Sequence, residues 1–224
     1  MLADTQTAGR GRRGHAWLSP PGSGLYVSVI LTPTRARTDS ARATMLLTVA
    51  AGVALAEAVE AATALHVDLK WPNDLFVAQR KLGGILAEGM SAAPESGGTR
   101  LDSVILGYGI NVGAMVFPPD LAARATSLEI ELGRKVDRAW LFAETLAALA
   151  RRYEDLLAGR FDAILDAWRS RAPTARGARV TFNTATPPAG IQSGVTAGVD
   201  ENGALLVQVG ERVERIIAGE LTWR

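Results

Sequence analysis

The chain has 224 residues, no cysteine and a formal net charge of +1. The absence of cysteine excludes disulfides, thiolate metal sites and cysteine nucleophiles, and the balanced charge leaves no global field to draw the chain to nucleic acid or membrane. The length fits one sizeable core, or a larger domain with a small appendage. No apolar run has the length of a membrane span or the placement of a signal h-region, so a soluble, cytoplasmic protein is expected.

The first distinctive stretch is Gly9-Arg10-Gly11-Arg12-Arg13-Gly14. Its spacing matches the dinucleotide fingerprint G-x-G-x-x-G, which requires a helix directly after it. Here Ser19-Pro20-Pro21-Gly22 follows instead, and prolines and glycine break a helix. The remaining reading is an anion cradle of backbone N–H groups loaded with guanidinium forks, with a solvated basic turn as the plain alternative.

Gly24–Leu31 alternates as a strand. Asp39 or a neighbour caps a helix from Ala41 to about His66 that is apolar almost all round, the pattern of a buried helix. Short strands follow at Val67–Trp71, Leu75–Val77 and Lys81–Glu88, broken by the turns Pro72-Asn73-Asp74 and Ala78-Gln79-Arg80. Residues 91–100 read as an exposed hairpin loop. Ser103–Val112 is a further strand whose glycines imply close backbone approach. Ala122–Leu132 reads as a short helix. Asp137 caps an amphipathic helix running to Gly159, with Leu141, Leu146, Leu149, Tyr153 and Leu156 on its stripe, and Phe161–Arg171 forms another helix. After Pro173 the chain turns to short strands with an Asn202-Gly203 hairpin signal. The expected class is therefore α+β: a mixed β-sheet with helices on one face over residues 1–174, then a small β-barrel over 175–224.

Three fragments carry the chemistry: Gln6 to Gly14, Lys70-Trp71-Pro72-Asn73-Asp74, and Lys81-Leu82-Gly83-Gly84-Ile85-Leu86. With Gly107-Tyr108-Gly109-Ile110-Asn111, Asp200–Leu205 and Gly219-Glu220-Leu221, they resemble the biotin protein ligase family over nearly the whole chain, in its monofunctional form. The resemblance implies the catalytic fold shared with lipoyl ligases and class II synthetases, joined to an SH3-like barrel. It implies biotin and ATP as substrates, Mg²⁺ as cofactor, and a biotin carboxyl carrier protein domain as acceptor. A homodimer through an edge of the sheet is a further implication.

Joining one anion to another requires cations that neutralise and align both, and Arg10, Arg12 and Lys81 are the suppliers. By the resemblance, Gln6 hydrogen-bonds biotin, Arg10, Gly11 and Arg12 wrap the adenylate, and Lys81 bridges the carboxyl and the α-phosphate. Gly83, Gly84 and Gly109 leave room for a flat bicyclic ring, and Trp17 and Asn111 meet the adenine. Lys70 adds positive charge near the phosphates, while Asn73 and Asp74 place the metal, with Asp74 as ligand. Trp71, Trp140, Trp168 and Trp223 read as packing, and His15 and His66 as unrelated to chemistry.

Two departures from the family pattern accompany these matches. A segment with a Ser-Thr-Asn motif that contacts biotin's ureido ring has no counterpart before Gln6, so Met1 reads as a late start. The winged helix of repressor-type members has none either, so no operator binding is expected. The competing readings are a lipoyl or octanoyl ligase of the same fold and a non-catalytic remnant or partner-binding module.

Overall fold

Two antiparallel sheets organise the computed structural model, which describes residues 1–92, 100–184, 190–219 and 221–223. The first contains β1 (Leu2–Ala3), β2 (Gly24–Leu31), β3 (Asp68–Lys70), β4 (Asp74–Val77), β5 (Arg80–Ala92) and β6 (Arg100–Asn111), in the order β1-β2-β6-β5-β4-β3. Every ladder between these strands is antiparallel. The mixed character expected of the sheet is confined to one isolated parallel bridge between Lys81 and Ala125. Most of the loop read at 91–100, and Glu220, lie outside the described residues.

The alternation of side chains along a strand divides this sheet into two faces. On β6, Val104, Leu106, Tyr108 and Ile110 are buried, and the Tyr108 hydroxyl lies 2.8 Å from Thr145 Oγ1 on a covering helix. Ile105, Gly107 and Gly109 point the other way and line a cleft. The helices therefore lie on one face and the cleft on the opposite one, as the sequence implied.

The long buried helix is divided into α1 (Ser40–Met45) and α2 (Leu47–Thr63), joined at Leu46. Asp39 caps the first by accepting from the Arg42 N–H at 2.9 Å. The second stops three residues before the expected His66, because Ala64 takes a left-handed conformation (φ 62°) that turns the chain towards β3. Twelve of the seventeen α2 residues are buried, and Gly52 faces Leu69 and Ile85 of the sheet. Each fully buried Leu or Val there contributes about 1.5–3 kcal/mol.

The expected helix at Ala122–Leu132 is two short pieces, α3 (Pro119–Ala122) and α4 (Leu128–Leu132). Between them the Lys81 N–H donates to the Arg124 carbonyl at 2.7 Å and the Thr126 N–H donates to the Lys81 carbonyl at 2.9 Å. Those groups cannot also serve a helix, so tertiary pairing overrides local propensity. α5 (Arg138–Leu157) and α6 (Phe161–Arg169) follow. Trp168 is buried as expected, but Trp140 is 53% exposed, standing off the stripe that buries Leu141, Ala148 and Leu156.

The second sheet comprises β7 (Arg176–Thr184), β8 (Gly190–Val199), β9 (Leu205–Val209), β10 (Arg212–Ile216) and β11 (Leu221–Trp223), ordered β10-β9-β8-β7-β11. It meets the first sheet where Trp71 Nε1 donates to the Gly203 carbonyl at 3.0 Å. β1 and β11 are too short to leave a period in the sequence.

Candidate functional site

The Gly9–Gly14 stretch folds as a tight hairpin. The Gly11 N–H donates to the His15 carbonyl at 2.7 Å and the Trp17 N–H to the Gly9 carbonyl at 2.8 Å. A side chain at Gly9 would come within 2.4 Å of the Trp17 carbonyl, so only glycine lets the two arms cross this closely. The tip is a 3-10 turn over Arg12–Gly14 with Arg13 in the left-handed region.

This hairpin covers the open face of the first sheet and encloses a cavity of about 590 Å³, within the range of small-molecule sites. Gln6, Arg10, Gly11, Arg12 and Trp17 line it from the hairpin. Lys70, Asn73, Asp74, Lys81, Gly84 and Gly109 line it from the sheet. Eleven of the thirteen residues expected at the site thus converge on one cavity.

The pairing of β3 with β4 sets Lys70 opposite Asp74, and β4 with β5 sets Asp74 opposite Gly84. Gly84 is the point of convergence: a Cβ there would lie 3.4 Å from both Asp74 Oδ1 and the Trp17 ring, and 3.5 Å from Lys81 Cε. Lys81 Nζ sits 2.7 Å from the buried Asp74 Oδ1, an ion contact without hydrogen-bond alignment. The same ammonium is 5.6 Å from the centre of the Trp17 ring. Arg12 donates to Asn73 Oδ1 at 3.4 Å. Burial lowers the Arg12 pKa while the Asp74 charge opposes the shift, and burial likewise lowers that of Lys70 against the pull of Asp74. Arg12, Lys70 and Lys81 therefore all face one carboxylate. Such a surplus of half-buried positive charge is suited to an anionic ligand.

Three expected roles differ in the structure. Asn111 does not line the cavity; it is 6% exposed and its amide donates to the Thr126 carbonyl at 3.0 Å. Gly83 points away from the cavity, where a Cβ would come within 2.7 Å of the Gly109 carbonyl, so its missing side chain serves strand pairing. The floor at Gly84 and Gly109 is already covered: a Cβ on Gly109 would lie 2.6 Å from Trp17 Nε1, which is buried without a hydrogen-bond partner among the described residues. Open floor remains at Gly107, whose nearest neighbours would be 3.6 Å away.

Sequence reasoning missed Glu88, which pairs with Arg10 at 2.9 Å, and Ser19, which donates to Gln6 Oε1 at 2.7 Å. The period of β5 places residues 84, 86 and 88 on one face and could have found Glu88. His66 does not line this cavity; its Nδ1 lies 2.8 Å from Glu60. Among the described residues no group of three or more His, Cys, Asp or Glu could hold a metal ion, and no helix is long and apolar enough to cross a membrane.

Residues 1–111 match the biotin/lipoate A/B protein ligase family. Over 223 residues the chain is 36% identical to the bifunctional ligase/repressor BirA of Bacillus spizizenii, covering 99% of this chain and 65% of that protein, so it spans about two thirds of that relative's length. It is 32% identical to the biotin–[acetyl-CoA-carboxylase] ligase of Mycobacterium tuberculosis over 99% of this chain and 77% of the other. The biotin protein ligase of Aquifex aeolicus, solved in complex with biotin and ATP, superimposes with a TM-score of 0.81 at 29% identity, covering 100% of this chain and 87% of that one.

Proposed function

The chain belongs to the biotin protein ligase family, and from that premise we propose that it activates biotin with ATP as biotinyl-5′-AMP and transfers the biotinyl group to a lysine of a biotin carboxyl carrier protein domain. The observation that carries this reading is the cavity itself, where Arg12, Lys70 and Lys81 surround Asp74 beneath an arginine-bearing hairpin.

In the first step an oxygen of biotin's carboxylate attacks the α-phosphorus of ATP and pyrophosphate leaves. Two anions must be brought into line, and fixed cations supply the largest part of such catalysis. Lys81, on the rigid start of β5, is assigned to bridge the carboxylate and the α-phosphate, releasing Asp74 as it does so. Arg12 follows the phosphate from the hairpin, and Arg10 moves from exposed Glu88 to the ligand. Gln6 has its carbonyl held by Ser19, which leaves its amide N–H groups to face biotin. Trp17 supplies a flat wall for the adenine. In the second step the carrier's lysine amine attacks the acyl carbonyl and AMP leaves.

Mg²⁺ would enter with the triphosphate as part of the substrate. Asp74 is a hard oxygen donor in the cavity, paired with Lys81; once the phosphates engage the surrounding cations it would be free to serve as one protein ligand to a metal held chiefly by phosphate oxygens. We assign residues 1–174 to this chemistry and 175–224 to a small second domain that supports it.

Biotin-dependent ATP–pyrophosphate exchange by the 224-residue chain tests the proposal, with Lys81→Ala as control. Exchange that vanishes in the variant supports adenylation. Exchange driven by octanoate or lipoate in place of biotin would assign the chain to the lipoyl branch, and no exchange with any of the three would favour a non-catalytic module.

A further inference from the structure

The second sheet reaches the cavity through its last strand. Pairing of β11 with β7 sets Trp223 opposite Val180, and the Trp223 side chain lines the cavity beside Lys70. Lys70 Nζ lies 4.9 Å from the centre of the Trp223 ring and 4.9 Å from that of Phe76. The ammonium is therefore held between two aromatic faces delivered by different sheets. A lysine stem has four rotatable bonds and loses much freedom when fixed. Two ring faces favour the cation in place without neutralising it, as a second carboxylate would.

We propose that Trp223 is a positioning residue: it holds the Lys70 ammonium in the cavity, so that the charge offered to a nucleotide's phosphates depends on the docking of the second sheet. The geometric part stands by itself; the consequence for phosphates rests on the adenylation reading above. Phe76 comes from the strand next to Lys70 and would stay with it through any movement of the second sheet. Trp223 would not.

The sequence has three lysines, Lys70, Lys81 and Lys135. Reductive methylation of the full chain with ¹³C-formaldehyde then yields three lysine dimethylammonium signals beside that of the Met1 α-amine, assignable by Lys70→Arg, Lys81→Arg and Lys135→Arg. The Lys70 signal should be displaced by ring currents from that of Lys135, whose side chain is 90% exposed. Trp223→Ala should remove much of the displacement and Trp223→Phe should retain it. In pyrophosphate exchange by unmethylated protein, Trp223→Ala should lower kcat/KM for ATP by about 3- to 30-fold, the span of a partly to fully desolvated cation–ring contact. Trp223→Phe should restore most of that, and the loss should be absent in a Lys70→Ala background. A Lys70 signal unmoved by Trp223→Ala, or an equal loss of exchange without Lys70, overturns the proposal. Absence of biotin-dependent exchange in the unaltered chain overturns the adenylation reading alone, and the methyl signals still decide whether Trp223 holds Lys70.

Discussion

Lys81 illustrates how a single position acquires its role from three directions. Its side chain meets Asp74, its N–H and carbonyl are both bonded to the segment 124–126, and a tight turn with left-handed Ala78 and Gln79 precedes it. A cation fixed at its backbone costs little reorganisation when charge develops in front of it. Lys81→Ala should therefore reduce exchange by roughly 10²–10³ while the melting temperature stays close to that of the unaltered chain, because Lys70 and Arg12 still face Asp74. A comparable fall in melting temperature would show a structural role instead. Gly109 makes the opposite kind of demand, since any Cβ there strikes the Trp17 indole. Gly109→Ala should push the indole off the floor, loosen the hairpin and speed tryptic cleavage at Arg10, Arg12 and Arg13. Gly107→Ala, with ordinary contacts on every side, should not; equal cleavage of both variants would refute the packing argument. Arg10, Arg12 and Lys81 were legible in the sequence as cavity residues because such a density of cations and glycines is unusual, whereas the part played by Gly83 was not, since which face a strand glycine presents depends on its pairing. Glu88 and Trp223 were not, because an ordinary acid on a strand and a terminal tryptophan gain meaning only from partners that folding brings 78 and 153 residues along the chain to meet them.

At the level of elements, periodicity recovered α5 with its cap and most strand ends of both sheets to within a residue or two, but β5 runs four residues past the expected Glu88 and β6 begins three residues before the expected Ser103. It failed where backbone hydrogen bonds were claimed from outside the segment. Residues 123–127 have helical composition, yet their groups pair with Lys81, and the helix is interrupted accordingly. The hairpin of Gly9–Trp17 was read as a loop because its ladder is two bonds long and its turn uses Arg13 in a left-handed conformation that sequence does not announce. The cap of α5 gives a quantitative test. Asp137 Oδ1 accepts from the N–H groups of Ala139 and Trp140 at 2.8 and 3.1 Å, and Asp137→Ala should cost about 1 kcal/mol. For a chain of this size that is a fall in melting temperature of about 2–4 °C. Asp137→Asn, which keeps the acceptor, should lose less, and a thermal melt of the three proteins decides the matter.

Across the whole molecule, the two sheets are joined through the turn between β8 and β9. Gly203 in that turn accepts from Trp71, which stands two residues before Asn73 and three before Asp74, so the turn also steadies the cavity. Asp200 holds the turn: its Oδ1 accepts from the N–H groups of Asn202 and Ala204 at 2.9 and 2.8 Å, and its Oδ2 is paired with Arg215 of β10. Burial pushes the Asp200 pKa up, but Arg215 and the two N–H groups outweigh it and hold the carboxyl below the ordinary aspartate value. A depressed carboxylate stabilises the fold fully at pH above its unfolded value, about 3.9, and that stabilisation is lost as pH falls through the lower folded value. The melting temperature should therefore drop as pH is lowered below about 4. Asp200→Asn should melt lower at neutral pH, having lost the charge that Arg215 faces, and should decline less steeply in acid, so that the two curves converge. Because the turn supports Trp71, acid should also weaken nucleotide-dependent thermal protection in the parent earlier than it unfolds the chain. Melting curves that run parallel for the two proteins from pH 7 to pH 3 would mean that other carboxylates govern the acid limb and that Asp200 is not what ties the second sheet to the first.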